Sequence, residues 1–218
     1  MAFRREMMNI AIIGSGNIGS GLARTLAATK HGVVVSAKEQ QSAKALVESL
    51  AAEGIRVQQA DVASAVANAQ IVILAVPYGA VADLAKAYDF AGKIVVDVTN
   101  PLKDDFSGIT LGFTTSAAEE IQQLLPAAKV VKAFNTVFAQ VYQEGLDFGG
   151  RKVPTFIAAD DAAAKQTLLS VANDAGFDAV DAGALSNARY IEPLAYLNIH
   201  FGYILGHGTQ IAPAWLSR

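Results

Sequence analysis

Three glycines near the amino terminus have the spacing of a pyrophosphate-binding turn. Residues 10–21 read IAIIGSGNIGSG, an apolar run that breaks into Gly14, Gly16 and Gly19. In such a turn the glycines let the backbone bend tightly, approach a pyrophosphate closely and pack the next helix against the preceding strand. The first turn of that helix directs its N–H groups and the positive end of its dipole at the phosphates. The spacing therefore predicts a dinucleotide site.

The residues after the second apolar run indicate which dinucleotide binds. The run ends in Ser36, Ala37 and Lys38, where an NAD-preferring site has an acidic residue for the ribose 2′-hydroxyl. Glu39 comes later, in an expected loop. A lysine attracts a 2′-phosphate that a carboxylate would repel. Ser36 and Lys38 therefore favour NADP(H) over NAD(H), and the alternative is that both belong to an ordinary solvated loop.

Three later strand ends carry groups suited to a nicotinamide and its ribose. Ligands of open α/β sheets bind beyond the carboxyl ends of the strands, near the switch in strand order. Amide and hydroxyl groups there could bind the nicotinamide carboxamide, although turn chemistry alone also explains an Asn or a Pro. The candidates are Ala75, Val76, Pro77 and Tyr78 after the fourth strand, Asn100 and Pro101 after the fifth, and Asn135 and Thr136 after the sixth.

A parallel sheet is needed to bring these strand ends together, and the pattern of the chain predicts one. Short apolar runs alternate with longer segments of helical spacing, several of which begin at a capping residue, Ser42, Asp61 or Asp160. We expect strands at 10–13, 32–36, 55–58, 71–75, 94–97, 130–133, 155–158 and 179–181. We expect helices at 18–30, 42–53, 61–68, 79–88, 116–124, 161–175 and 187–206.

This alternation predicts an α/β fold of the Rossmann type, with a doubly wound, mainly parallel sheet covered on both faces. The glycine- and proline-containing segment 145–154 indicates a domain junction. We expect residues 8–150 to form the NADP(H)-binding domain. Residues 151–218 would form a small α/β extension that ends in the long helix.

Composition excludes several other classes of protein and site. The net charge is −3 and no basic cluster occurs, which argues against a nucleic-acid partner. The apolar runs fall short of the roughly 20 residues that span a bilayer, and no secretory signal is recognised. Cysteine is absent, which excludes disulfides and thiolate metal sites and fits a cytoplasmic location.

No metal site is expected. His200 and His207 would lie on one face of the final helix, too far apart to share a metal, and no carboxylate completes a ligand set. Packing in the core or at an interface explains them better. Gly202 and Gly206 on the same helix permit a close approach of another helix, as in a homodimer.

Six segments in order, GSGNIGSGLA, VVVSAK, ILAVPY, VVDVTNPL, VKAFNT and DAGALSNARYIEPLA, resemble the coenzyme F420-dependent NADP oxidoreductase family. They are also similar to the cytoplasmic reductase domain of the six-transmembrane ferric reductases. The resemblance extends from Met8 to Gly208. It implies a Rossmann NADP(H) domain, a small domain over the nicotinamide, and hydride transfer between NADP(H) and a flavin or the deazaflavin F420.

The resemblance also implies roles for residues at matching positions. Lys38 matches a family arginine at the 2′-phosphate, whereas Ala37 stands where a serine is common. Asn135-Thr136 replaces the His-Thr of the archaeal deazaflavin enzymes and is more similar to the ferric reductase domains, which leaves the acceptor open. The pyrophosphate would be held by Ser15, Gly16, Asn17 and Ile18, and the adenosine and ribose side would be lined by Val76, Pro77 and Tyr78.

Hydride transfer between two rings needs no general acid or base, so no catalytic residue is predicted. Arg189 could bind an anionic tail of the second substrate, or it could pair with Glu192 three residues later. Two other functions stay open from the sequence. One is a dehydrogenase of a small carbon substrate, and the other is a non-enzymatic sensor of NADP(H).

Overall fold

The protein is described here from a computed structural model, which covers residues 7–216. Residues 1–6, on which the expected absence of a secretory signal rests, and the last two residues of the expected second domain lie outside the described residues. Within the described part of the chain, no helix is long and apolar enough to cross a membrane.

Eight strands of the described chain form one sheet in the order β3-β2-β1-β4-β5-β6-β7-β8. All neighbouring strands are parallel except β6 and β7, which are antiparallel. This confirms the predicted doubly wound, mainly parallel α/β fold. The strands are β1 (Asn9–Ile13), β2 (Gly32–Ser36), β3 (Gln58–Gln59), β4 (Ile71–Leu74), β5 (Ile94–Asp97), β6 (Lys129–Lys132), β7 (Pro154–Ala159) and β8 (Asp178–Asp181).

Helices cover both faces of the sheet because the strands bury alternate side chains on each side. In β1, Ile10 and Ile12 face one core and Ala11 and Ile13 face the other. The first core includes side chains of α1, α2, α6 and α7, and the second includes those of α3, α4 and α5. The helices are α1 (Asn17–Ala27), α2 (Gln40–Ala52), α3 (Val62–Asn68), α4 (Val81–Ala87), α5 (Ala117–Leu124), α6 (Ala139–Glu144), α7 (Ala162–Asp174) and α8 (Ala188–Ile199).

The carboxyl-terminal residues extend the same sheet. After β6, the chain makes α6, passes through the Gly149-Gly150 loop, and adds β7 antiparallel to β6, so the sheet continues across the expected domain junction. Strand β8 then pairs with β7 in parallel, and the long helix α8 follows. The division at residue 150 stays a prediction.

Several predicted boundaries are wrong for local reasons. Helix α2 begins before Ser42, and its N-cap is Glu39. Helix α7 is capped by Asp161, whose carboxylate accepts from Ala164 N, whereas Asp160 accepts from Leu185 N. The expected cap Asp61 does accept from Ser64 N. At α7, the two adjacent aspartates bind different N–H groups, and at α2 the helix begins without a side-chain cap.

Two longer differences reflect packing that the periodicity does not show. The strand expected at 55–58 is displaced to the two-residue β3, because Ile55 N bonds to Leu50 O at the end of α2. The final helix is α-helical only to Ile199 and continues as a π-helical turn over His200–Ile204. His207 therefore lies beyond both helical segments. Helix α6 has no counterpart among the predicted helices.

Glycine at position 21 allows α1 and α6 to pack closely. A Cβ atom on Gly21 would lie 2.6 Å from Tyr142 Cγ. Tyr142 is 3% exposed and its ring packs against Phe177, at a centroid distance of 6.0 Å. The tyrosine therefore fills the space that any larger residue at position 21 would need.

Gly21→Ala is expected to lower the free energy of unfolding by about 1–3 kcal/mol, because the added methyl group overpacks this contact. Urea denaturation measures the change. Gly79→Ala is the matched control, since a Cβ there meets no heavy atom within 4 Å. An equal loss of stability in both variants would contradict the packing argument.

Candidate functional site

The glycine turn lies at the switch in strand order, where the chain returns from β3 to β4 on the other side of β1. Gly14 has φ +123°, and a Cβ atom there would lie 2.1 Å from Ala75 O. A Cβ on Gly19 would lie 2.0 Å from Gly14 O. Gly14 N donates to Ser36 O at 2.7 Å. Glycine is therefore required at both positions for the ends of β1, β2 and β4 to meet.

Gly16 differs from these two glycines because its surroundings are open. A Cβ atom on Gly16 would meet no protein atom within 4 Å. Gly16 is the N-cap of α1, no side chain caps this helix, and its first turn has no acidic residue. Gly16 and Asn17 are exposed, and Ser15 and Ile18 are half-buried. The amino end of α1 thus offers free N–H groups and space for an anion.

A cavity of about 420 Å³ extends from this turn along the carboxyl edge of the sheet. It brings together three predicted site residues, Gly14, Lys38 and Val76, and is also lined by Ala37. Lys38 is exposed. The cavity is also lined by Asp61, whose pKa is lowered because the backbone N–H and the hydroxyl of Ser64 donate to its carboxylate. The remaining lining residues are Ile13, Gln40, Val62, Ala63, Ala80, Asp83, Leu84, Ala87 and Tyr88.

Two predicted site residues turn their side chains away from this cavity. The Ser36 side chain is completely buried and its Oγ has no partner, so its observed contribution to the turn is the carbonyl group that accepts from Gly14. The Tyr78 hydroxyl donates to Glu120 on α5. Burial and the nearby Glu120 raise the pKa of Tyr78. Tyr78 therefore connects the end of β4 to α5.

The predicted residues after β5 and β6 are brought into direct contact. Asn135 Nδ2 donates to Asn100 Oδ1 at 2.9 Å, and Asn100 Nδ2 donates to Asn135 O at 3.1 Å. We call Asn100 and Asn135 the amide pair. Three buried polar atoms near it have no partner in the described chain: Asn135 Oδ1, Thr136 Oγ1 and Thr99 Oγ1. Buried polar atoms are rarely left unpaired, so this edge is suited to a polar ligand.

The backbone next to the amide pair is strained. Phe134 has φ +62°, a left-handed conformation that is unfavourable for an aromatic residue, and it is 1% exposed. Its N–H donates to Thr155 Oγ1 on β7 at 3.0 Å. Such strain persists only where surrounding contacts fix it, and it is concentrated at functional sites. The first residues after β6 are thus held in place by β7.

A buried ionic cluster lies at the ends of the same two strands. The Lys132 ammonium group is 2.8 Å from Asp97 Oδ2, 2.9 Å from Glu192 Oε1 and 2.5 Å from Thr99 O. The three charged side chains, Lys132, Asp97 and Glu192, are completely buried. We call them the ionic cluster. The Glu192 carboxylate also accepts from the N–H groups of Ala117 and Ala118 at the start of α5.

Charge in the ionic cluster follows from its geometry. Burial alone would lower the pKa of Lys132, but attraction to the two carboxylates outweighs it and raises that pKa. Burial raises the pKa of Glu192, against the effect of Lys132. Sequence reasoning missed this cluster. The feature that could have revealed it is the pairing register of β5 and β6, which places Asp97 opposite Lys132.

Arg189 pairs with Glu119 and not with Glu192. Its guanidinium donates to both oxygens of Glu119, with distances of 2.6–3.1 Å. The alternative pairing with Glu192 is wrong because Glu192 is committed to Lys132. Glu119 also accepts from the Ser116 hydroxyl. Attraction to Arg189 lowers the pKa of Glu119, although burial acts in the opposite direction.

Other candidate features lie away from the glycine turn. The described residues contain no cluster of His, Asp and Glu that could hold a metal ion. A larger cavity, of about 680 Å³, lies over β7 and β8 next to the tail, where Trp215 packs on Phe156 at 5.1 Å. It includes none of the predicted site residues. The site therefore consists of the glycine turn, the smaller cavity and the amide pair.

Comparison with known proteins gives a consistent result. The family described as coenzyme F420-dependent NADP oxidoreductase matches residues 9–101. An F420-dependent NADP reductase of Methanocaldococcus jannaschii is 32% identical over 208 residues, with coverage of 88% of this chain and 91% of that protein. The metalloreductase STEAP3 of Rattus norvegicus is 34% identical over 193 residues, which are 87% of this chain. The chain spans 37% of the length of STEAP3.

A solved structure is similar over nearly the whole chain. It is that of an Arthrobacter sp. FB24 protein proposed to be an F420-dependent NADP reductase. The TM-score is 0.80 and the sequence identity is 29%, with coverage of 95% of this chain and 100% of the Arthrobacter chain. The likeness includes the carboxyl-terminal part of the fold as well as the glycine turn.

Gly16→Ala is expected to weaken NADPH binding by at least roughly tenfold, because the methyl group occupies the space that a pyrophosphate needs. The free energy of unfolding should fall by less than about 1 kcal/mol, the cost of alanine at an N-cap. Isothermal titration calorimetry and urea denaturation measure the two effects.

Gly108→Ala is the control for binding, since a Cβ atom there would make only ordinary contacts with Lys103, at 3.6 Å or more. Unchanged NADPH affinity in Gly16→Ala would show that the pyrophosphate does not lie on this turn.

Proposed function

Because the chain belongs to the coenzyme F420-dependent NADP oxidoreductase family and is an NADP-dependent oxidoreductase, we propose that it transfers hydride between NADP(H) and a flavin or deazaflavin. The observation that carries this proposal is the position of the amide pair, with its unpartnered polar atoms, at the same sheet edge as the glycine turn. A dinucleotide extended along that edge reaches both.

In this proposal each part of the dinucleotide has its own set of contacts. The pyrophosphate lies on the turn from Gly14 to Ile18, where the free N–H groups of α1 face it. The adenosine occupies the 420 Å³ cavity, beside Val76. The exposed ammonium group of Lys38 at the cavity wall binds the 2′-phosphate. No acidic side chain stands at the end of β2 to favour a free 2′-hydroxyl.

The nicotinamide end is assigned to the amide pair and Thr136. A carboxamide group has one acceptor oxygen and two N–H donors. The unpartnered Asn135 Oδ1 can accept from its N–H groups, and the Thr136 hydroxyl can donate to its oxygen. Asn198 Nδ2 donates to Thr136 O at 3.1 Å, so α8 keeps this segment in place. These contacts would fix the plane of the ring relative to an acceptor.

The chemistry requires positioning more than proton transfer. When bound, NADPH supplies hydride from its nicotinamide C4 atom to the acceptor ring. The residues of the chain contribute a fixed ring orientation and the exclusion of water from the edge. The amide pair, of which Asn135 is buried, and the strained Phe134 backbone serve this role because both are fixed by several contacts. No side chain needs to act as a general acid or base.

The acceptor is a finer part of the proposal, and we propose a flavin or F420. Two relatives point in different directions, since one is named an F420-dependent NADP reductase and the other a metalloreductase. Asn135-Thr136, in place of His-Thr, favours a flavin. Location in the cytoplasm and a homodimer stay predictions from the sequence.

A parallel assay tests the proposed function. NADPH and NADH are titrated first, and NADPH oxidation is then followed with F420, FMN, FAD and riboflavin. Turnover with one or more of these acceptors and a preference for NADPH are expected. Tight NADPH binding without turnover on any acceptor would overturn the enzyme proposal and favour the NADP(H) sensor. Turnover with a small carbonyl compound alone would favour the dehydrogenase.

Lys38→Ala should weaken NADPH binding by at least roughly tenfold and leave NADH binding within about twofold, because one charge-assisted contact to the 2′-phosphate is lost. Lys38→Asp should increase the difference through repulsion. Calorimetric titration of both nucleotides measures the two affinities.

Lys44→Ala is the matched control, since Lys44 is an exposed lysine of α2 that pairs with Glu48 at 3.7 Å. Equal losses of NADPH and NADH affinity in Lys38→Ala would show that Lys38 does not contact the 2′-phosphate.

A further inference from the structure

The ionic cluster adjoins the amide pair on both sides. Lys132 Nζ donates to Thr99 O, and the next residue is Asn100. Asn135 Nδ2 lies 3.4 Å from Ile191 O, and the next residue is Glu192. Asn100 therefore directly follows the residue that accepts from Lys132, and Asn135 contacts the residue before Glu192. These two connections link the ionic cluster to the amide pair.

The cluster contains unequal numbers of positive and negative groups. One ammonium group, that of Lys132, faces two carboxylates, Asp97 and Glu192. All three side chains are completely buried, so water and salt screen them weakly. The N–H groups at the start of α5 share part of the negative charge of Glu192. With both carboxylates ionised, the cluster has one excess negative charge.

Two other acidic side chains lie nearby, and their partners differ. Arg189 forms a bidentate pair with Glu119, whereas Glu120 accepts from the neutral Tyr78 hydroxyl. Glu119 and Glu120 follow Ser116 at the amino end of α5, which lies at the carboxyl edge because α5 returns the chain to the start of β6. Within residues 7–216, Lys132 is the only cationic side chain that forms an ion pair with Asp97 or Glu192.

We propose that the ionic cluster is a specificity-determining element that favours the oxidised over the reduced nicotinamide. This inference rests on the proposed function, since it requires the nicotinamide at the amide pair. Loss of hydride from C4 takes two electrons and leaves the ring with a positive charge, whereas the reduced ring is neutral. A buried excess negative charge beside the ring stabilises only the charged form. The cluster therefore increases NADP⁺ affinity relative to NADPH affinity.

The experiment compares the affinity ratio for the two nucleotides in the intact protein. Kd values for NADP⁺ and NADPH are measured at pH 8.0 in the wild type, Glu192→Gln and Asp97→Asn. Each substitution removes one negative charge and retains the shape of the side chain. We expect the preference for NADP⁺ to fall by roughly fivefold in each variant. This corresponds to the interaction between two unit charges about 10 Å apart in partly screened protein. The 2′-phosphate is common to both ligands and cancels from the ratio.

Two controls separate this effect from a purely structural one. Glu53→Gln removes the acidic partner of Arg24 at the carboxyl-terminal ends of α1 and α2, away from the glycine turn and the amide pair, and its ratio should not change. A structural loss in Glu192→Gln would weaken both nucleotides equally and leave the ratio unchanged, which would overturn the proposal. The second cluster variant, Asp97→Asn, provides the same readout if Glu192→Gln is too unstable to study.

A measurement on the wild type alone completes the test. Burial raises the pKa of Glu192, so this carboxylate is protonated at a higher pH than an exposed glutamate. The preference for NADP⁺ should therefore decrease as the pH falls, and a preference that increases would overturn the proposal whatever the variants do. If the wild type binds neither nucleotide, the proposed function fails as well. If it binds both and the ratio is insensitive to charge, only this inference fails.

Discussion

One buried ammonium group joins the parts of the molecule that make the site. Lys132 at the end of β6 is paired with Asp97 at the end of β5 and with Glu192 in α8, and Glu192 in turn accepts from the first N–H groups of α5. Removing one partner from such a group costs several kcal/mol, because an unpaired charge stays buried. Two strands, a crossover helix and the carboxyl-terminal helix are thus fixed relative to one another at a single point. The amide pair lies beside that point, next to residues that the ionic cluster holds in place.

The glycine turn and the ionic cluster organise different parts of the sheet edge. The turn needs close contact between backbones, which Gly14 and Gly19 permit at Ala75 O and at Gly14 O. Its ligand contacts are N–H groups that exist in any helix end, so they do not depend on a particular side chain. The amide pair is different, because its polar atoms come from side chains that follow two separate strands, β5 and β6. The buried pairing of Lys132 with Asp97 joins the ends of those two strands.

Much of the fold and half of the site could be predicted from local patterns. The strand–turn–helix at Gly14 is specified by adjacent residues, and the positions of Lys38, Val76, Asn100 and Asn135 follow from the strand ends. At Asp160 the prediction was wrong because its carboxylate binds Leu185 N, and at residues 55–58 because Ile55 N binds the end of α2. Helix α2 begins before Ser42 without a side-chain cap. The orientation of Tyr78 toward Glu120 and of the Ser36 side chain into the core depends on helices that pack from elsewhere in the chain.

By itself, the sequence determined the doubly wound fold and the glycine turn proposed for the phosphates, because both depend on periodicity and on contiguous residues whose geometry is local. Only the tertiary structure decided the partners of the charged groups. Lys132 and Glu192 are each ordinary in their own segments, one at the end of an apolar strand and the other within a helix. Arg189 was close to Glu192 along the helix, yet it binds Glu119. Which charges are buried together is set by how the sheet and the last helix pack, since burial without a partner is unfavourable and a partner can come from any part of the chain.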